Sequence, residues 1–217
     1  MIFIGSYPFS WYTLEVLLHA GVIPKKIITI KSDEQGDFFF YKQCIAHELI
    51  RNEVLLTVSS KSDLKCLSMP SVDYIITSAF PYLIPESVLA KAKLYALNVH
   101  PSILPRWKGP DPIRNAILAD DKYIGVSIHE MTSVFDEGNV VAQYKLLNDR
   151  ITTYSAYIKL LAVEGGNMAA KIIKNKCKYL SPLELSQQQK EEYAGKIGQK
   201  ILIFKDLKPN EYARIIS

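Results

Sequence analysis

"MIFIGSYPFSWYTLEVLLHAGVIPKKIITI", residues 1–30, decides the architecture. An apolar run over Met1–Ile4 breaks at Gly5 into a turn. Leu14, Leu17 and Leu18 then recur on one helical face until Gly21, and the apolar run Lys26–Ile30 follows. The spacing predicts strand, helix and strand within about thirty residues, a βαβ unit with parallel strands and a right-handed crossover. Farther on, "EVLLTV" (53–58), "DYIITSA" (73–79) and "KLYALNV" (93–99) read as strands, with short helices in "SDLKCL" and "PESVLAKA" between them. "DPIRNAILAD" (111–120) is a helix with Pro112 in its first turn, where a missing N–H costs nothing. "YIGVSIHEM" and "NVVAQYKLL", joined through "TSVFDEG", read as an antiparallel pair at one edge of the sheet. The longest helix is expected over Thr153–Asn175, on the apolar face of Tyr157, Leu160, Leu161, Val163, Met168 and Ile172, despite Gly165 and Gly166.

This pattern describes an α/β domain over residues 1–178, with a mostly parallel sheet and helices on both faces. From Ser181 the sequence turns polar before a strand-like "KILIF" (200–204) and a short helix "KPNEYARII" (208–216), so 179–217 is read as a small C-terminal extension. Its terminal strand is where homodimer pairing is expected. With 217 residues, 48% apolar and 22% charged, the chain has the makings of an ordinary folded core. A net charge of +4 without a basic run suits anionic small molecules better than nucleic acid. Cys44, Cys66 and Cys177 lie far apart, in no metal-like spacing, and are expected to be reduced thiols. No signal peptide and no stretch near the ~18 apolar residues of a membrane span is present, so a cytoplasmic protein is expected.

The chemistry concentrates in "NVHPSILPRWKGPDPI", residues 98–113. Asn98 and His100 stand two apart at a strand end and project from the same face. Pro101, Pro105, Gly109, Pro110 and Pro112 keep the next segment irregular, as a stiff loop over that spot. Asp136, in a turn before a strand, supplies a carboxylate that could orient His100, while Asn98 could donate an N–H to an oxyanion. Asn, His and Asp together suit acyl transfer to an amine. No G-x-S-x-G elbow is present, so direct attack by the acceptor is more natural than an acyl-enzyme. His129 reads as a strand residue facing solvent or a neighbour, and His19 and His47 as surface residues. Ser6, Tyr7 and Phe9, at the first strand-to-helix turn, are candidate substrate contacts, as are Arg106, Trp107 and Lys108 on the proline loop. The aromatic run Phe38–Tyr41 falls in an otherwise irregular stretch and is read as packing or a subunit contact.

"LNVHPSILPRWKGPDPIRNAI" followed by "GVSIHEMTSVFDEGNVVAQ" resembles the formyltransferases that use N10-formyltetrahydrofolate. That family includes methionyl-tRNA, glycinamide ribonucleotide and nucleotide-sugar formyltransferases. Its Asn-x-His-Pro-Ser-x-Leu-Pro element and later Asp-x-Gly are present, and the resemblance spans about Met1–Asn175. It implies a Rossmann-like fold, a catalytic triad of Asn98, His100 and Asp136, and no metal. It also implies a pterin pocket from Phe80, Pro81, Tyr82, Leu83 and Ile84 with Leu104, Val134 and Phe135. The start "FIGSYPF" is similar to the methionyl-tRNA and sugar branches and lacks the phosphate loop Gly-Asn-Gly-Ser of the purine branch. With no tRNA-holding C-terminal domain expected, the resemblance points to a nucleotide-linked amino sugar, a dTDP- or UDP-4-amino-4,6-dideoxyhexose of the kind used in bacterial surface glycans. A compact tRNA or peptide formyltransferase, a non-catalytic folate binder and a formate-releasing hydrolase are the rival readings.

Overall fold

A computed structural model describes residues 1–30, 39–49 and 54–176. The expected elements at 200–204 and 208–216, the dimer contact, Cys177 and Phe38 lie outside the described residues. In chain order the elements are β1 (Ile2–Gly5), α1 (Pro8–His19), β2 (Lys26–Ile30), α2 (Phe39–Ala46), β3 (Leu55–Val58), α3 (Lys61–Cys66), β4 (Val72–Ser78), α4 (Glu86–Leu89), β5 (Ala92–His100), α5 (Pro112–Leu118), β6 (Tyr123–Glu130), β7 (Val140–Leu147) and α6 (Tyr154–Asn175).

The strands form one sheet in the order β3-β2-β1-β4-β5-β6-β7. The five strands β3, β2, β1, β4 and β5 run parallel, while β6 is antiparallel to both β5 and β7. From β1 the chain moves outward through β2 and β3, then returns to lay β4 on the other side of β1. Such a reversal opens a crevice beyond the strands' carboxyl ends, where α/β proteins bind ligands. Ile2, Phe3, Ile4, Ile27, Ile28, Ile75 and Ile76 are wholly buried. Strands covered on both faces lose the polar alternation of a half-exposed sheet, which explains these continuous apolar runs.

The described part of the aromatic run, Phe39–Tyr41, is helical rather than irregular. Phe40, in α2, is fully buried and stacks on Phe3 with ring centroids 6.1 Å apart, and its edge meets Trp11 at 6.4 Å. Phe39 packs against Tyr12. These rings therefore close the core between α1 and α2. The "PESVLAKA" helix is confined to the four residues of α4, because β5 already begins at Ala92. Among the described residues no helix is long and apolar enough to cross a membrane.

Helix α6 lies against α1 and against β5 and β6, and its two glycines make that approach achievable. A Cβ on Gly165 would stand 2.4 Å from Val99 Cγ1 and 3.2 Å from Val126 Cγ2; one on Gly166 would stand 2.8 Å from Val16 Cβ. Val99 therefore points at α6, and by strand alternation its neighbours Asn98 and His100 point the other way. Alanine in a helix interior is favoured over glycine by about 1 kcal/mol. Gly165→Ala is nevertheless expected to destabilise the protein, by about 1–3 kcal/mol of overpacking against Val99, seen as a lower urea midpoint with an unchanged slope.

Candidate functional site

The site is built on the β5–β6 pairing. Asn98 stands directly across from His129, and His100 across from Ser127. Paired residues share a face, so Asn98, His100 and His129 gather on the side away from α6. The turn after β6 brings Asp136 to the same place with a left-handed φ of 54°.

The polar contacts fix several proton positions. Asn98 Oδ1 accepts from the Thr77 hydroxyl at 2.9 Å, which orients the amide. Its Nδ2 lies 3.0 Å from His129 Nε2 and donates to Asp136 Oδ1 at 3.4 Å. His129 Nδ1 is 2.9 Å from the Glu130 carbonyl, which can only accept, so Nδ1 carries a proton. His129 Nε2 lies 3.3 Å from Asp136 Oδ1 as well as 3.0 Å from Asn98 Nδ2, so when protonated it donates to the carboxylate and when bare it accepts from Asn98. His100 is the mirror case: Nε2 lies 2.9 Å from the Trp107 carbonyl and must be its protonated nitrogen. The bare Nδ1 of His100 then faces Asp136 Oδ1 across 3.6 Å, and Asp136 Oδ2 accepts the Gly109 N–H at 2.8 Å.

His100, His129 and Asp136 are withdrawn from water, at 5%, 2% and 8% exposed, and Asn98 is half-buried. Burial pushes the His100 imidazole below its ordinary pKa, and His129 adds to this, while Asp136 and the Trp107 carbonyl oppose it. Burial alone would raise the Asp136 carboxyl. The His129 hydrogen bond, the charge of His100 and the Gly109 N–H outweigh it and hold the carboxyl below the usual range. At neutral pH the site therefore presents a neutral imidazole beside an ionised carboxylate.

Asn98, His100, His129 and Asp136 open onto a cleft of about 870 Å³. Phe80, Pro81, Tyr82, Leu83 and Ile84 form one apolar wall, and Val134 and Phe135, both more than half exposed, stand at its rim. Tyr7 and Phe9, from the start of α1, line it as well. The other expected contacts are placed elsewhere. Ser6 is buried, its hydroxyl near Thr29 and bonded to the Ile30 N–H. Leu104 is buried behind the proline loop, its N–H on Ser127 and its carbonyl on Gln143. Arg106 and Trp107 turn to Asp121, and Lys108 pairs with Glu137 at 2.8 Å. None of these five lines the cleft. Apolar walls with a polar cluster at one end suit a flat heteroaromatic ligand that carries a reactive group. Among the described residues no group of side chains has metal-holding geometry.

Reading the chain alone assigned His129 no role, although it is bonded into the cluster. Its signal was its parity in "GVSIHEM", which becomes decisive only once the register with β5 is known. Thr77, and the backbone groups of Trp107 and Gly109, left no sequence signal of this kind.

A titration tests the charge balance. By NMR, His100 is expected to titrate below the ordinary value of about 6.5. Asp136 is one of the influences that raise it, so in Asp136→Asn the His100 midpoint should move lower still. A midpoint that rises would mean that the carboxylate does not act on His100.

Comparison with known proteins gives consistent results. Residues 26–169 match the family described as formyl transferase. Methionyl-tRNA formyltransferase from Ehrlichia canis is 37% identical over 183 residues, covering 81% of this chain and 60% of that protein. The chain spans only 34% to 60% of the length of such relatives. Among solved structures, phosphoribosylglycinamide formyltransferase from Streptococcus pneumoniae shares the fold with a TM-score of 0.63 and 16% identity, over 80% of this chain and 97% of that one. The N-formyltransferase from Helicobacter canadensis, in complex with folinic acid and dTDP-3-aminofucose, gives 0.56 and 18%, over 80% and 62%.

Proposed function

The chain belongs to the formyl transferase family, and from that premise we propose that it transfers the formyl group of N10-formyltetrahydrofolate to a primary amine. The observation that carries this reading is the cluster of half-buried Asn98 with buried His100 and Asp136 at one end of an apolar cleft. The cleft would hold the pterin along Phe80–Ile84, with Val134 and Phe135 closing over it. The neutral amine attacks the formyl carbon, and the carbonyl oxygen becomes an oxyanion that the Asn98 amide stabilises. The ammonium proton passes to His100 Nδ1, where Asp136 faces the resulting imidazolium. Collapse breaks the bond to N10, which takes up a proton, and releases tetrahydrofolate and the N-formyl product. Each step is proton and group transfer among these side chains, with no metal or acyl-enzyme invoked.

We read the acceptor as an amine on a nucleotide-linked sugar, a dTDP- or UDP-4-amino-4,6-dideoxyhexose for bacterial surface glycans, in a cytoplasmic homodimer. A mild net charge of +4 without a basic tract, and Tyr7 and Phe9 lining the cleft at the start of α1, support it. The second reading is methionyl-tRNA, favoured by the Ehrlichia canis relative. Tetrahydrofolate release with a panel of dTDP- and UDP-amino sugars and charged initiator tRNA separates the two. Turnover confined to tRNA, weakening steeply with salt, would replace the sugar reading. Silence with every acceptor would remove formyl transfer to these amines. His100→Asn should lower turnover about a thousandfold or more while leaving folate affinity by calorimetry nearly unchanged. Equal loss of both would make His100 structural.

A further inference from the structure

We infer that Asp121, on the turn between α5 and β6, is a positioning residue that sets which nitrogen of His100 carries the proton, acting through the backbone of Trp107. The inference rests on the proposed role of His100 as proton acceptor. That role requires a bare Nδ1, and the contact enforcing it is the Trp107 carbonyl on Nε2. The alternative tautomer has a ready partner, because a proton on Nδ1 would face the Asp136 carboxylate 3.6 Å away. Without the carbonyl, the imidazole would gain by moving its proton to Nδ1, and the base would be lost.

The carbonyl is aimed by an uncommon backbone. Trp107 has a φ of 58°, the left-handed region that costs a residue with a Cβ. Asp121 holds it there with three bonds. Its carboxylate accepts Arg106 Nε and Nη2, both at 2.7 Å, and the Trp107 indole Nε1–H at 2.6 Å. The Arg106 guanidinium also lies over the Trp107 ring, 4.4 Å from its centroid. The Asp121 side chain is 15% exposed and Arg106 57%, so the bond from the half-buried Trp107 indole is the best shielded of the three. At the other end of the same short segment, the Gly109 N–H holds Asp136. Residues 106–109 thus form a strap, anchored at Asp121, whose backbone contacts both His100 and Asp136.

The test reads the tautomer directly, by ¹⁵N-resolved NMR of the imidazole rings; the chain has only four histidines. In the wild type, His100 should show the pattern of a protonated Nε2. In Asp121→Ala, and more weakly in Trp107→Phe, which keeps the ring but removes the indole donor, the pattern should move toward a protonated Nδ1. Asp120→Asn, which disturbs only the exposed pair with Arg150, should leave it unchanged. Turnover of Asp121→Ala should fall about ten- to a hundredfold with the KM for the folate donor nearly unchanged, and Asp121→Glu should recover part of it. The tautomer is measured without substrate, so it decides this inference whichever acceptor is found and even if formyl transfer fails. An unchanged Nε2–H pattern in a folded Asp121→Ala overturns the inference. Should that variant not fold, the same result in Trp107→Phe does so.

Discussion

The register between β5 and β6 is the constraint on which the site depends. Side-chain direction alternates with every residue of a strand, so a slip of one position would separate Asn98 from His129 and turn one of them to the wrong face. The slip is opposed from the other side of the sheet. Val99 and Val126 fit against α6 only because Gly165 offers no Cβ, and Val99 cannot be exchanged for a polar neighbour there without burying an unpaired group. Ser127 adds a second lock. Placed across from His100, it bonds the Ser102 carbonyl, the Leu104 N–H and Gln143, and so ties the start of the proline loop to the sheet.

Within that frame the polar groups balance one another. Two imidazoles and a carboxylate are withdrawn from water together beside a half-buried amide, and each lone charge would be costly there. One ionised group, Asp136, is accommodated by donors from Asn98 and Gly109. A proton arriving on His100 meets that carboxylate directly. At 3.6 Å from the carboxylate, its attraction is on the order of 4 kcal/mol for an effective dielectric near 20. Burial disfavours the imidazolium and the carboxylate favours it. The outcome is a neutral imidazole at rest whose protonated form is still supported when it is made.

Much of this was legible in the chain itself. The βαβ opening, the apolar runs and the antiparallel edge follow from apolar patterning together with short run length, β-branched residues and flanking turn residues. Asn98 and His100 showed themselves by parity and by the prolines that follow. Asp136 stood out as a carboxylate in a turn before a strand, while the apolar cleft wall followed only from the family resemblance. What remained hidden depends on partners distant in sequence. His129 needed the β5–β6 register, α2 needed the packing of Phe40 on Phe3 and Trp11, and the destination of Arg106 and Trp107 needed Asp121. A basic and aromatic pair on a loop looks the same in sequence whether it reaches for a ligand or for a carboxylate of its own chain.

That last ambiguity bears on how a loop so rich in proline can be exact in its effect. The groups that touch His100 and Asp136 are the Trp107 carbonyl and the Gly109 N–H, both backbone. Side chains in this segment therefore act through the conformation they enforce rather than through contacts of their own. Trp107 at φ 58° and Gly109 at φ 82° are the points where the chain must turn left-handed. Glycine adopts that conformation freely, whereas tryptophan needs an external hold. The hold comes from a carboxylate outside the cleft, so the cleft face of the strap stays free for a ligand while its geometry is set from behind. On that inference, a residue outside the cleft sets the state of an imidazole that lines it.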